Sequence, residues 1–112
     1  MAADDRDAAL LLDMLRYAEE ATAVVHGLTF ERYSVDRLRV LALERTIEIV
    51  GEAARHVSAG KKTSMPGIPW NEIHGQRNVL AHMYGKIDHF QLFKTAREDL
   101  PQLIAVLRKA LG

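Results

Sequence analysis

Leu43, Ile47, Val50, Ala54 and Val57 stand alternately four and three positions apart. An α-helix turns once in about 3.6 residues, so this spacing draws one apolar stripe along one side. Leu38 and Leu41 extend the stripe upstream, which predicts a helix from Val35 to about Val57, with Ser34 as its N-cap. The same period recurs in Leu11, Met14, Leu15, Ala18, Ala21 and Val25, predicting a helix over 5–26 that Gly27 stops. It returns in Ala96, Leu100, Leu103, Leu107 and Leu111. No stretch shows the two-residue alternation of a half-buried strand. Apolar residues that recur only with helical period must be buried helix against helix, which restricts the chain to an all-α fold.

The breaks between stripes set the organisation. Ser58 to Ile68 carries Gly60, Lys61, Lys62, Ser64, Pro66 and Gly67 and reads as a loop. Pro69 suits the first position of a third helix, expected to run to about Tyr84 with Gly85 beyond its end. Asp88 and Gln91 are spaced as N-cap and N3, with Ile87 and Leu92 at the matching staple positions, so a fourth helix begins there. Pro101 is expected to kink or divide it. Gly51 costs its helix roughly 1 kcal/mol relative to Ala, and marks a place where another backbone can come close. Four helices with mostly short connections predict a single domain over 1–112, an antiparallel up-and-down four-helix bundle.

Composition excludes several function classes. The chain has no cysteine, which removes disulfide frameworks, cysteine zinc sites and thiol catalysis. With 15 basic and 15 acidic residues the formal charge is zero, which argues against coating nucleic acid through a broad basic face. Local contact with a few phosphates is still open to it. The first residues are acidic where a signal peptide would be basic, and no apolar run approaches the roughly 20 residues that span a bilayer, so no membrane role and a cytoplasmic location are expected. Glu44, Glu48 and Glu52 line one helical face with Arg45 and Arg55 nearby, and Glu52 and His56 are four apart. One such Glu–His pair without a second is not a di-metal pattern, so no metal and no cofactor are expected. His26, His56 and His89 read as surface residues.

The third predicted helix contains Gln76-Arg77-Asn78-Val79-Leu80-Ala81-His82-Met83-Tyr84-Gly85. His is the side chain best suited to proton transfer near neutral pH, and Arg offers a permanent planar fork for phosphate oxygens. Asn78 can add a neutral hydrogen bond. These types can serve phosphoryl-transfer chemistry, which uses a base, an acid and a cation to offset charge on a phosphate. At about 100° per residue, however, Arg77 and His82 lie about 140° apart around the helix. Asn78 and His82 share one face, Arg77 and Tyr84 another. Two such helices meeting across a two-fold axis would bring both sets to one cleft, which predicts a homodimer.

The run Arg77-x4-His82-x-Tyr84, with a polar residue after the Arg, resembles the motif of the HepT-like branch of the HEPN ribonucleases. Ile49-Val50-Gly51-Glu52-Ala53-Ala54, Ile68-Pro69-Trp70-Asn71-Glu72-Ile73 and Glu98-Asp99-Leu100-Pro101 are similar to other segments of that family, in the same order. The resemblance implies an HEPN-like dimeric bundle and a toxin that cleaves RNA without a metal, with Arg77, Asn78 and His82 catalytic. It implies a minimal nucleotidyltransferase antitoxin of the MntA type as partner, which silences the toxin by transferring AMP to Tyr84. It also suggests Glu52 as a residue that orients Arg77. His74, eight residues before His82, could line the same cleft; Lys61 and Lys62 could help hold RNA, but the preferred reading of them is a solvated loop. The alternative is a non-catalytic module that binds a nucleotide or a nucleotidyltransferase.

Overall fold

Asp36, not Ser34, opens the helix with the central stripe. Its carboxylate accepts the Arg39 N–H at 3.2 Å, while the Ser34 hydroxyl donates back to the Glu31 carbonyl. The computed structural model describes the backbone of residues 3–112 and the side chains of 4–83 and 85–112. Helix α1 spans Ala3–Val25, α2 Phe30–Ser34, α3 Arg37–His56, α4 Ala59–Ser64 and α5 Trp70–His82. A 3₁₀ turn covers Tyr84–Lys86, followed by α6 at His89–Lys94, a π-helical turn at Thr95–Asp99 and α7 at Leu100–Leu111. Among the described residues there is no strand. The all-helical expectation therefore holds.

Two short helices stand between the predicted ones, the second inside the stretch read as a loop. Thr29 caps α2 by accepting the Arg32 N–H at 3.2 Å, and α2 folds because it carries Tyr33 into the core. Tyr33 packs against Phe93 with ring centroids 5.2 Å apart, and Phe30 meets Phe90 and Phe93 at 5.2 and 5.7 Å. The Tyr33 phenol is buried without a hydrogen-bond partner among the described residues, and burial, with Glu44 nearby, pushes its pKa up to about 12. Ser58 caps α4 through Lys61 N–H, and Asp7 of α1 grips Ser58 in turn: one carboxylate oxygen accepts its N–H at 2.9 Å, the other its hydroxyl at 2.6 Å. A glycine- and lysine-rich stretch is thus helical because a residue 51 positions away clamps its first turn.

The stripe on α3 enters through Val40, not through Leu38 and Leu41. Val40, Leu43, Ile47 and Val50 are buried, whereas Leu38 is 80% and Leu41 43% exposed. Leu38 stands about 140° and Leu41 about 160° around the helix from Leu43, so neither can share its side. Pro101 has the effect its sequence position implied. It offers no N–H, and the chain relieves its ring by widening the preceding turn, where Leu100 N–H reaches back to the Thr95 carbonyl.

The long helices touch in the order α7, α1, α3, α5. Met14, Ala18, Leu43 and Leu107 are among the residues closing one continuous core between them. Because α5 packs chiefly on α3, a cleft of about 510 Å³ opens on the side towards α7, lined by Ile47, Val50, Ile73, Gln76, Thr95 and Leu103 among others.

Candidate active site

The site begins at the crossing of α3 and α5. A Cβ added at Gly51 would overlap Arg77 Cβ, stand 2.8 Å from Arg77 Cγ and 3.3 Å from the Ile73 carbonyl. Glycine is what lets the aliphatic root of Arg77 lie directly on the α3 backbone. The close approach that Gly51 signals in the sequence is therefore made within the protomer, by α5, and it gives no support to a contact between two copies.

From that root the guanidinium runs to Glu52, the residue after the glycine. Arg77 Nη2 stands 2.8 Å from Glu52 Oε2, and Nη1 donates to Asn78 Oδ1 at 3.3 Å. The Arg77 side chain is only 17% exposed, and its buried Nε–H finds no partner among the described residues. Glu52 is shared: His56 Nε2 lies 3.0 Å and Arg55 Nη1 3.3 Å from its other oxygen. The hydrogen bond with His56, then the positive charge of Arg77 and Arg55, hold the Glu52 carboxyl below its ordinary value against the opposing effect of partial burial. Arg77, Glu52 and His56 line a groove of about 580 Å³ with Tyr17, Arg45 and Glu48.

Asn78 stands beside the Arg77 guanidinium, whereas His82 sits elsewhere on α5. Both are exposed, and His82 is the last residue of the helix. Met83 leaves helical geometry at φ −134°, ψ 54°, with its N–H still bonded to the Val79 carbonyl at 2.9 Å, and the 3₁₀ turn follows. The helix thus ends two residues before the expected position at Tyr84. The Tyr84 phenol lies outside the described residues. Around an ideal helix Asn78 and His82 are about 40° apart, while Arg77 is turned toward α3. The fold brings Arg77, Asn78 and Glu52 together and leaves His82 outside that group.

His74 does not join them. Its Nε2 lies 3.1 Å from Lys62 Nζ, in a separate cleft beside α4. Burial, and then the charge of Lys62, lowers the His74 pKa. Glu44 and Glu48 take surface partners instead, at 3.8 Å from His89 and 3.4 Å from Arg45. Among the described residues, no three His, Asp or Glu side chains gather as a metal site requires, and no helix is long and apolar enough to cross a membrane.

Comparison with known proteins decides the family. The model of the HepT-like ribonucleases matches residues 14–110, nearly the whole chain. The chain belongs to the HepT-like ribonuclease family. It is 35% identical over 95 residues to "Probable ribonuclease HepT" of Thermococcus cleftensis, covering 81% of this chain and 86% of that one. It is 32% identical over 95 residues to "Putative RNase MJ1380" of Methanocaldococcus jannaschii, covering 85% and 87%. It is 29% identical over 87 residues to "Putative RNase TTE0752" of Caldanaerobacter subterraneus, covering 78% of each. No solved structure gives a significant match. In HepT-like terms, the motif resemblance and the α3–α5 crossing coincide: the segments Ile49–Ala54 and Gln76–Gly85 that resemble the family are the two that meet at Gly51 and Arg77.

Proposed function

We propose that this HepT-like chain is a metal-independent endoribonuclease, and that Arg77, Asn78 and His82 carry the cleavage. The observation that supports it best is the seating of Arg77. Its root lies on Gly51 and its fork stands 2.8 Å from a Glu52 carboxylate oxygen, while Asn78 and His82 stay open to solvent on the same helix. A fixed guanidinium can offset negative charge on a phosphate without reorganising during the reaction. In the reaction the 2′-oxygen attacks the adjacent phosphorus and the bond to the 5′-oxygen breaks. His82 takes up the 2′-hydroxyl proton, and the leaving 5′-oxygen takes a proton from water. The products are a 2′,3′-cyclic phosphate and a 5′-hydroxyl.

Arg77 and His82 reach the same phosphate when two copies pair. Gly75 stands about 20° from His82 around the helix, a Cβ added there would meet nothing within 4 Å among the described residues, and the spot leaves room for a second α5. The single helix costs itself helix propensity at that point without any internal contact in return. The pair would then present one Arg77 and the other copy's His82 to a common strand.

As a toxin, the chain needs an antitoxin, and the resemblance assigns a minimal nucleotidyltransferase of the MntA type. AMP attached to Tyr84 would add bulk and negative charge two residues from His82, where RNA phosphate must bind. Co-expression with that partner should shift the intact mass by one or more AMP groups, and Tyr84→Phe should remove the shift. A partner that neutralises Tyr84→Phe fully would mean inhibition by binding alone. The decisive experiment for cleavage is incubation with total RNA in EDTA. The wild-type protein is expected to cut, and His82→Ala to lose about 10²- to 10⁴-fold in rate with helical circular dichroism intact. Activity that vanishes with EDTA and returns with Mg²⁺ would overturn the metal-free reading.

A further inference from the structure

Lys62, Trp70 and His74 form a cluster that the chemistry above does not use. Lys62 leans from α4 onto α5, placing its ammonium 3.1 Å from His74 Nε2 and 5.8 Å from the centre of the Trp70 ring. Trp70 is fixed in turn, since its indole N–H donates to the Met65 carbonyl at 3.1 Å and its ring packs partly against the core. Helix α4 is itself pinned through Ser58 to Asp7. The ammonium is thus held in place, unlike that of an ordinary surface lysine on a mobile stem.

What holds it is unusual in charge. Among the described residues Lys62 has no carboxylate within 4 Å, and its near neighbour is an imidazole. Burial and the Lys62 charge lower the His74 pKa, and one Lys62 N–H is directed at its Nε2 3.1 Å away, which leaves two donors for something else. The surrounding cleft, about 530 Å³, is also lined by Thr63 and Asn71, both neutral hydrogen-bonding side chains, and by Glu72 as its acidic member. The Thr63 hydroxyl is committed to the Ala59 carbonyl at 3.0 Å, so the cleft offers a placed cation and the Asn71 amide, a pair that fits a single phosphate.

The position relative to the motif gives this phosphate an origin. His74, Asn78 and His82 are four residues apart in turn, a ridge that advances about 40° per step around α5. Eight residues of helix span roughly 12 Å, the length of three to four stacked nucleotides at about 3.4 Å each. We propose that the α4–α5 cleft binds an RNA phosphate three to four nucleotides from the cut, with Lys62 as its cation and Asn71 as a neutral donor. This rests on the ribonuclease reading and adds a second anchor to it.

The test separates the two. A labelled single-stranded RNA is titrated by fluorescence anisotropy onto His82→Ala protein, which leaves the probe whole, at several salt concentrations. Adding Lys62→Gln should weaken binding about tenfold and flatten the slope of log affinity against log salt by about 0.7, the value for one phosphate contact on a single strand. Lys62→Arg should keep most of the affinity, and Lys109→Gln, an equal charge change on exposed α7, should match the parent. The proposal fails if Lys62→Gln behaves like Lys109→Gln, if the parent binds no RNA, or if Lys62→Arg loses as much as Lys62→Gln. Lys62-dependent binding by a wild-type protein that never cuts RNA would sink the ribonuclease reading alone.

Discussion

At the scale of single residues, Gly51 governs more of the site than any charged group. Its missing Cβ lets Arg77 lie on α3, and that placement delivers the guanidinium to Glu52. Gly51→Ala should therefore act as an overpacking substitution, costing about 1–3 kcal/mol. For a domain of this size that lowers Tm by several degrees, on the order of 4–8 °C per kcal/mol. Activity should fall at least about tenfold, the equivalent of 1.4 kcal/mol in barrier, because α5 moves off the crossing and carries Arg77 with it. Thermal melts and cleavage rates on the same preparation check this. A variant with wild-type Tm and rate would mean the crossing adjusts freely. The sequence showed Gly51 as an oddity inside a helix but not what it faces, because nothing local relates residue 51 to residue 77. The same holds for Lys62: a lysine in a Gly- and Ser-rich stretch reads as solvated until α4 carries it to Trp70 and His74.

At the scale of elements, the long helices were legible and the short ones were not. Stripes of a dozen residues or more state their period many times over, so α1, α3 and the α6–α7 segment are legible to within a few residues of their ends, while α5, which has no such stripe, is legible from Pro69 and Gly85 that bracket it. Helices α2 and α4 are too short to state a period and are too weak to form alone. They exist because of distant partners, Phe93 for Tyr33 and Asp7 for Ser58. The second of these carries a prediction. Accepting two hydrogen bonds from Ser58 holds the Asp7 carboxyl below its ordinary value of 3.8. A depressed carboxylate stabilises fully above its unfolded-state pKa and loses that stabilisation as pH falls through its folded value. The α1–α4 clasp should therefore be intact at neutral pH and give way only below pH 3.8. Asp7→Asn should lower Tm at pH 7, and the gap from wild type should shrink as both are taken to strongly acid solution. A gap that stays constant with pH would show that the contact acts through shape, not charge.

For the whole molecule the question is how Arg77 and His82 reach one substrate. A rigid α5 turns them to different sides, and Arg77 is tied inward to Glu52 at 2.8 Å. If two copies share each site, with the Arg77 of one serving beside the His82 of the other, two consequences follow. Light scattering after size exclusion should give about twice the chain mass of 12.6 kDa at micromolar concentration. Inactive variants should also rescue one another. In a mixed dimer of Arg77→Ala and His82→Ala chains, one site receives both lesions and the other receives none. Random mixing places half of the chains in such dimers, so about a quarter of wild-type activity should return when the two are unfolded and refolded together. Sites built within one protomer predict a different result, because every site in a mixed dimer would then carry one lesion. Cleavage of RNA by the co-refolded mixture, set against each variant refolded alone, distinguishes the two. No recovery in a mixture shown by mass spectrometry to contain mixed dimers would place both residues in one protomer, and would require Arg77 to leave Glu52 and bend around α5 to meet His82.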